Sequence, residues 1–161
     1  MTRASHRAQD VALVLFCLLA IRSCFGSPYP RDQILQHTPT ALFVLVMLAT
    51  RTRFRLSTPA FVGVLTFMTL HVLGARYIYS YVPYDDWSRE LFGTSISAQF
   101  GFIRNHYDRL VHFSFGLCLA YPVLEIMRRA RMAREPWTYY FAVECILAAA
   151  MLYELANGWL P

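Results

Sequence analysis

The chain has 161 residues, 57% hydrophobic and 16% charged, with a formal net charge of +5 and a mean hydropathy of +0.36. Soluble domains carry roughly 25% charged residues, so there is too little polar surface here to cover a water-soluble globule. The basic excess is entirely arginine and falls in short stretches between apolar runs, not in a stripe with stacking aromatics, which argues against nucleic acid as a partner.

The expected fold class is all-α: a polytopic transmembrane helix bundle of about five spans, forming one transmembrane domain over 1–161. The first span, near 11–25, follows Arg3 and Arg7. A positive segment before a short apolar one is also the layout of a cleaved signal peptide. No small-x-small cleavage pattern follows it, and Arg22 can snorkel outward, so an uncleaved helix is expected. The second span, near 34–50, is the weakest. Gln36, His37, Thr38 and Pro39 make its first turn polar, which predicts a kinked or tilted helix with His37 at the interface.

The third span, near 59–80, opens with Pro59 at a first-turn position and carries His71 and Arg76, both costly in lipid. An outer loop, 81–103, follows. Asp85 or Asp86 is expected to cap a short helix ended by Gly93, with Trp87 and Leu91 on one face. Such a piece suits the membrane surface, or a lid over the space between the helices. The fourth and fifth spans lie near 104–127 and 137–160. Cys17, Cys118 and Cys145 fall inside apolar runs without C-x-x-C spacing and read as small buried hydrophobes.

Orientation follows from the arginines. Arg3, Arg7, Arg51, Arg53, Arg55, Arg128, Arg129, Arg131 and Arg134 fall on one side. Arg31, Arg89 and Arg104 fall on the other, offset by Asp32, Asp85, Asp86 and Glu90. The positive-inside rule puts the first set and the N-terminus in the cytoplasm of a bacterial cell, with the chain multi-pass in the plasma (inner) membrane.

Ionisable groups inside a bilayer cost several kcal/mol, so each needs a partner or a purpose. At ~1.5 Å per residue, His71 lies roughly 13 Å below the outer boundary, Asp108 about 6 Å, His112 about 12 Å and Glu154 about 9 Å. Four titratable groups from three helices share that layer. Asp108 and His112 are i,i+4 on one helix face, which suits an orienting carboxylate beside an imidazole, or two members of a metal site. Interhelical hydrogen-bond glue is the plainer alternative. Glu125 is expected to pair with Arg129 at the cytoplasmic end, and Glu144, near mid-membrane, to face the bundle interior.

Two stretches resemble a known family. His71-Val72-Leu73-Gly74-Ala75-Arg76-Tyr77-Ile78-Tyr79, followed by Val82-Pro83, is similar to a block of the YjdF-type bacterial inner-membrane proteins, roughly L-H-x-x-x-x-G-G-H-Y-T-Y-x-x-V-P. Arg104-Asn105-His106-Tyr107-Asp108-Arg109-Leu110-Val111-His112-Phe113 resembles that family's R-N-x-Y-D-R-x-G-H-F block, in the same order and spacing. Its D-x-x-x-H element is also similar, distantly, to VanZ-like membrane proteins linked to the envelope. The resemblance implies a polytopic membrane protein of unknown function and carries over no catalytic residues. Arg76 stands where that family commonly has His. Asn157-Gly158-Trp159 follows Tyr153-Glu154 where the family usually has a second Glu and a Trp, so a shortened or diverged member is expected.

Two functional readings follow. One is an intramembrane enzyme acting on a lipid-linked or envelope substrate. Asp108, His112 and Glu154 would supply acid–base groups, or His71, Asp108 and His112 would bind a divalent metal. Arg76, Tyr77, Asn105 and Arg109 would hold an anionic headgroup. The other is a non-catalytic component that binds membrane lipids and docks an envelope protein on the outer loop, the same residues serving as a hydrogen-bonded core.

Overall fold

In a computed structural model, which describes residues 3–158 and side chains from Ala4 to Leu155, the chain is all-helical. Trp159 and Leu160, expected to end the fifth span, lie outside the described residues, as does the side chain of Arg3. The helices are α1 (Arg3–Cys24), α2 (Pro30–Gln36), α3 (Thr38–Thr50), α4 (Thr58–Arg76), α5 (Tyr84–Phe92), α6 (Ile96–Phe100), α7 (Tyr107–Arg129) and α8 (Trp137–Gly158). Among the described residues, five stretches are long and apolar enough to cross a membrane: α1, α2 with α3, α4, α7 and α8. The outward faces are apolar, with Val14, Leu18, Leu45, Phe113 and Leu147 all exposed. Water tolerates no such belt, and hydrocarbon requires it.

The second span breaks where its polar turn predicts. α2 ends at Gln36, and α3 restarts at Thr38 with Pro39 in its first turn. His37 sits at the joint, its ring nitrogens 3.2 Å from Ser23 Oγ, 3.1 Å from Gln33 Nε2 and 3.3 Å from Thr40 Oγ1. The side chains thus take up polar valence at a broken helix within the membrane.

Helix α4 is the hub: it packs on α1, α7, α2 and α3, while α8 packs chiefly on α7. Without water to drive association, membrane helices gain from close backbone approach at small residues. Gly63 supplies that approach, because a Cβ there would stand 2.6 Å from the Cys118 carbonyl oxygen on α7. Phe61, Met68, Val72, Tyr107 and Val111 fill the seam above and below.

The arginine-rich end is stitched by ion pairs. Ser57 caps α4, and its backbone N–H donates to Glu125 Oε1 at 2.8 Å while its hydroxyl donates to Oε2. Arg129 closes the expected pair with Glu125 at 2.6 Å and also donates to the Arg55 carbonyl at 2.6 Å. Arg55 in turn reaches Asp10 on α1 at 2.9 Å.

Three expectations need correction. Asp85 and Asp86 lie in the first turn of α5 without capping it. Instead Asp85 Oδ1 accepts from Ser97 N at 2.8 Å, at the start of α6. Slight desolvation pushes the Asp85 carboxyl up, but the Ser97 hydrogen bonds and nearby Arg89 hold it below the usual carboxylate range. Glu144 does not face the interior: Ala142 and Ile146 are buried, and a helix turning 100° per residue carries Glu144 to the opposite, exposed face. Cys145 is likewise exposed and Cys17 and Cys118 only half-buried, all as free thiols.

Candidate functional site

Because α8 leans on α7 while α2 and α3 lean on α4, a cleft of about 770 Å³ remains at the arginine-poor end. Its apolar part comes from Leu35, Pro39, Leu42, Phe67, Val111, Phe115, Ala149 and Ala150. Its polar part comes from Asp32, Gln36, His71, Tyr79, Asp108, His112, Tyr153 and Glu154. Residues His71, Asp108, His112 and Glu154, which helix arithmetic puts at one depth, all reach this wall. The segment 81–103 contributes nothing to it, so nothing supports a lid there. α5 instead presents Leu91 and Phe92 outward, with Trp87 against Tyr77 (centroids 6.0 Å apart).

His71 is almost fully buried and held at both nitrogens. Nε2 lies 3.0 Å from the Gln36 carbonyl oxygen, which can only accept, so Nε2 carries the proton. Nδ1 then accepts from the Tyr79 hydroxyl at 2.7 Å. Tyr79 stands 3.3 Å from the Tyr153 hydroxyl, which donates to Gln36 Oε1 at 2.9 Å. The network ties α2, α4 and α8 together. His71 therefore orients the cleft wall, with neither nitrogen left to take a substrate proton or bind a metal.

Backbone geometry places Tyr79. After α4 the chain turns through Ile78 and Tyr79 at φ 49° and 50°, a left-handed conformation that β-branched Ile78 disfavours. Tyr79 N–H returns to the Gly74 carbonyl at 2.8 Å, and the ring packs against Gly74. A Cβ at position 74 would stand 2.4 Å from that ring. Gly74→Ala is therefore expected to evict Tyr79 from His71 and cost about 1–3 kcal/mol, the penalty of a buried polar group losing its partner. Melting temperatures check this in a cycle with Tyr79→Ala, in whose background Gly74→Ala should cost almost nothing.

The expected pairings differ from those observed. Asp108 does not orient His112. It accepts from Arg109 N at 2.8 Å and pairs with Arg104 at 3.3 Å. His112 pairs across the helices with Glu154, Nε2 to Oε1 at 3.2 Å, and both side chains are more than half exposed (55% and 60%). Among the described residues, no three His, Cys, Asp or Glu side chains converge to hold a metal ion. The donor set of His71, Asp108 and His112 does not fit a metal, because each is already turned to a different partner.

The residues expected to hold a headgroup serve the fold. Arg76 donates to the carbonyls of Ser23 (2.6 Å), Phe25 (2.8 Å) and Gly26 (3.0 Å), closing the C-terminal end of α1, with its guanidinium over the Tyr77 ring. Asn105 donates to the Val82 carbonyl at 2.7 Å and accepts from Tyr107 N at 3.0 Å, fixing the entry to α7. Arg109 is exposed and outside the cleft wall. Arg76→Met is expected to lose about 2–3 kcal/mol, since three carbonyls lose a charged donor together. A thermal melt of purified protein measures it, and retention of anionic lipid should not change.

Gln36, Tyr79, Tyr153, Asp32 and Gly74 were not among the residues expected to form the site. Tyr153 could have been found: it adjoins Glu154 and stands i,i+4 from Ala149, on the face that small residues leave open.

Comparison with known proteins agrees with this architecture. A family model described as predicted membrane protein (DUF2238) matches residues 8–160, and the chain belongs to that family. It is similar to Inner membrane protein YjdF of Escherichia coli (strain K12), 30% identical over 127 residues, 78% of this chain and 57% of that protein. The chain thus spans a little over half the length of that relative. No solved structure matches.

Proposed function

We propose that this multi-pass membrane protein works in the bacterial plasma membrane as a lipid- or envelope-related component that holds one amphiphile in its cleft. The supporting observation is the cleft's mixed lining, in which apolar side chains such as Leu42 on α3 and Ala149 on α8 share the wall with His112, Glu154 and two tyrosines. Ligand sites of several hundred Å³ with a few convergent polar groups accept molecules of this size. A chain lies along the apolar side chains while its head meets the polar ones. The similarity to a protein named as an inner membrane protein supports the location, and the arginine distribution supports a cytoplasmic N-terminus.

The test is lipid retention. Protein extracted gently from its own membrane and weighed intact by native mass spectrometry should carry one amphiphile per chain. Ala150→Trp, which places an indole in the cleft, should carry none. Equal retention by both, or none by either, would remove the proposal.

The 3.2 Å contact between His112 and Glu154 supports a second reading, intramembrane acid–base catalysis. There His112 acts as general base or acid, held by Glu154, on a substrate in the cleft. Glu154→Gln and His112→Asn would then stop turnover of the retained lipid while leaving it bound. Unchanged lipid composition in both variants would refute catalysis.

A further inference from the structure

We infer that α8 is a pairing helix: its outward face docks on α8 of a second copy of this chain, with the two Glu144 side chains hydrogen-bonded to each other. The observation that carries this is a carboxyl group out of place in a monomer. Glu144 lies seven residues past Trp137, the start of α8. At ~1.5 Å per residue that is about 11 Å into a hydrocarbon core ~30 Å thick. The side chain is exposed there, where its surroundings are lipid, and it is too short to snorkel to water. Among the described residues, no hydrogen bond or ion pair engages it. The other carboxylates of α7 and α8 are all engaged: Asp108 by Arg104, Glu125 by Ser57 and Arg129, and Glu154 by His112.

The face around Glu144 suits a helix. At 100° per residue, Trp137, Phe141, Ala148, Met151 and Leu155 fall within about 60° of it, and all are exposed. Ala148, at i+4, is small enough to let a second backbone come close, as membrane helix pairs require. The α7-facing residues Ala142 and Ile146, and the cleft residues Ala149, Ala150 and Tyr153, lie more than 100° away, so a partner on this face leaves both surfaces free. Symmetry names the partner. Most oligomers of one chain close about a two-fold axis. With that axis along the membrane normal each residue meets its own height, so Glu144 meets Glu144. A carboxylic acid both donates and accepts, and two of them satisfy each other. The chain offers no cation at this height: its arginines fall at helix ends, and His112 sits nearer the other face with Glu154.

The experiment reconstitutes the full chain, labelled with donor or acceptor fluorophore, in liposomes at falling protein-to-lipid ratio and reads self-association by energy transfer. Wild type should form dimers. Glu144→Gln, whose amide also donates and accepts, should keep them, and Glu144→Leu should weaken association about tenfold. Glu144 bears no contact within the chain, so both variants should melt as wild type does. A wild type that stays monomeric, Glu144→Leu associating as tightly as wild type, or Glu144→Gln associating as weakly as Glu144→Leu overturns the inference. Cross-linking then tests the face. In a background without Cys17, Cys24, Cys118 and Cys145, oxidation should join Ala148→Cys to its counterpart but not Val143→Cys, about 100° round the helix from Glu144. A cross-link at 143 and none at 148 overturns the pairing through Glu144.

Discussion

Glu125→Ala is expected to destabilise the protein by about 3 kcal/mol, the low end of the cost of breaking a buried ion pair, because Arg129 is 39% exposed while Glu125 is 9%. The carboxylate does three jobs at once. It accepts from the Ser57 backbone and hydroxyl at the start of α4 and from Arg129 on its own helix. Removing it leaves the first turn of α4 and the last turn of α7 without their shared acceptor. Glu125→Gln keeps an acceptor for Ser57 and should cost less than half as much. Thermal unfolding followed by far-UV circular dichroism separates the two variants, and equal losses would show that the charge, not the acceptor, carries the joint.

Gly63→Ala is expected to cost about 2–3 kcal/mol, in the upper range for overpacking, because the clash is backbone against backbone. A Cβ 2.6 Å from the Cys118 carbonyl leaves no flexible side chain to yield, so α4 and α7 must separate along the central seam of the bundle. Helix α8 leans on α7 and should follow it. A melting-temperature drop with faster proteolysis between α6 and α7 is the expected signature. A wild-type melt would mean that the seam can slide.

The spans were legible because a bilayer leaves few ways to write one: apolar runs of spanning length, arginines sorted by side, and a polar turn at Gln36-His37-Thr38-Pro39 where the second span breaks. The Glu125–Arg129 pair was legible because one helix fixes the geometry of i,i+4 neighbours. The depth of His71, Asp108, His112 and Glu154 was legible for the same reason, since a helix converts position into height.

Partners across helices were not. His112 meets Glu154 and not Asp108 because pairing depends on the rotation and crossing of α7 against α8, which neither sequence states. Arg76 reads as a costly charge until the end of α1 is brought beside it, more than fifty residues away in the chain. Tyr79 depends on two successive left-handed residues, and nothing in Ile78 announces that conformation. Glu144 read as an inward carboxylate because lipid disfavours it, yet α8 turns Thr138, Ala142 and Ile146 inward and carries Glu144 out.

The central claim is that a hydrocarbon chain lies between α3 and α8, and photolabelling tests it most directly. A phospholipid carrying a diazirine midway along one acyl chain is incorporated into membranes holding the protein, irradiated, and its adducts mapped by peptide mass spectrometry. Adducts should concentrate on Leu42, Phe67, Phe115 and Ala149, well above those on Val14 and Leu18 of α1, and should fall to the α1 level in Ala150→Trp. Labelling that is uniform around the bundle and unchanged by Ala150→Trp would contradict the account.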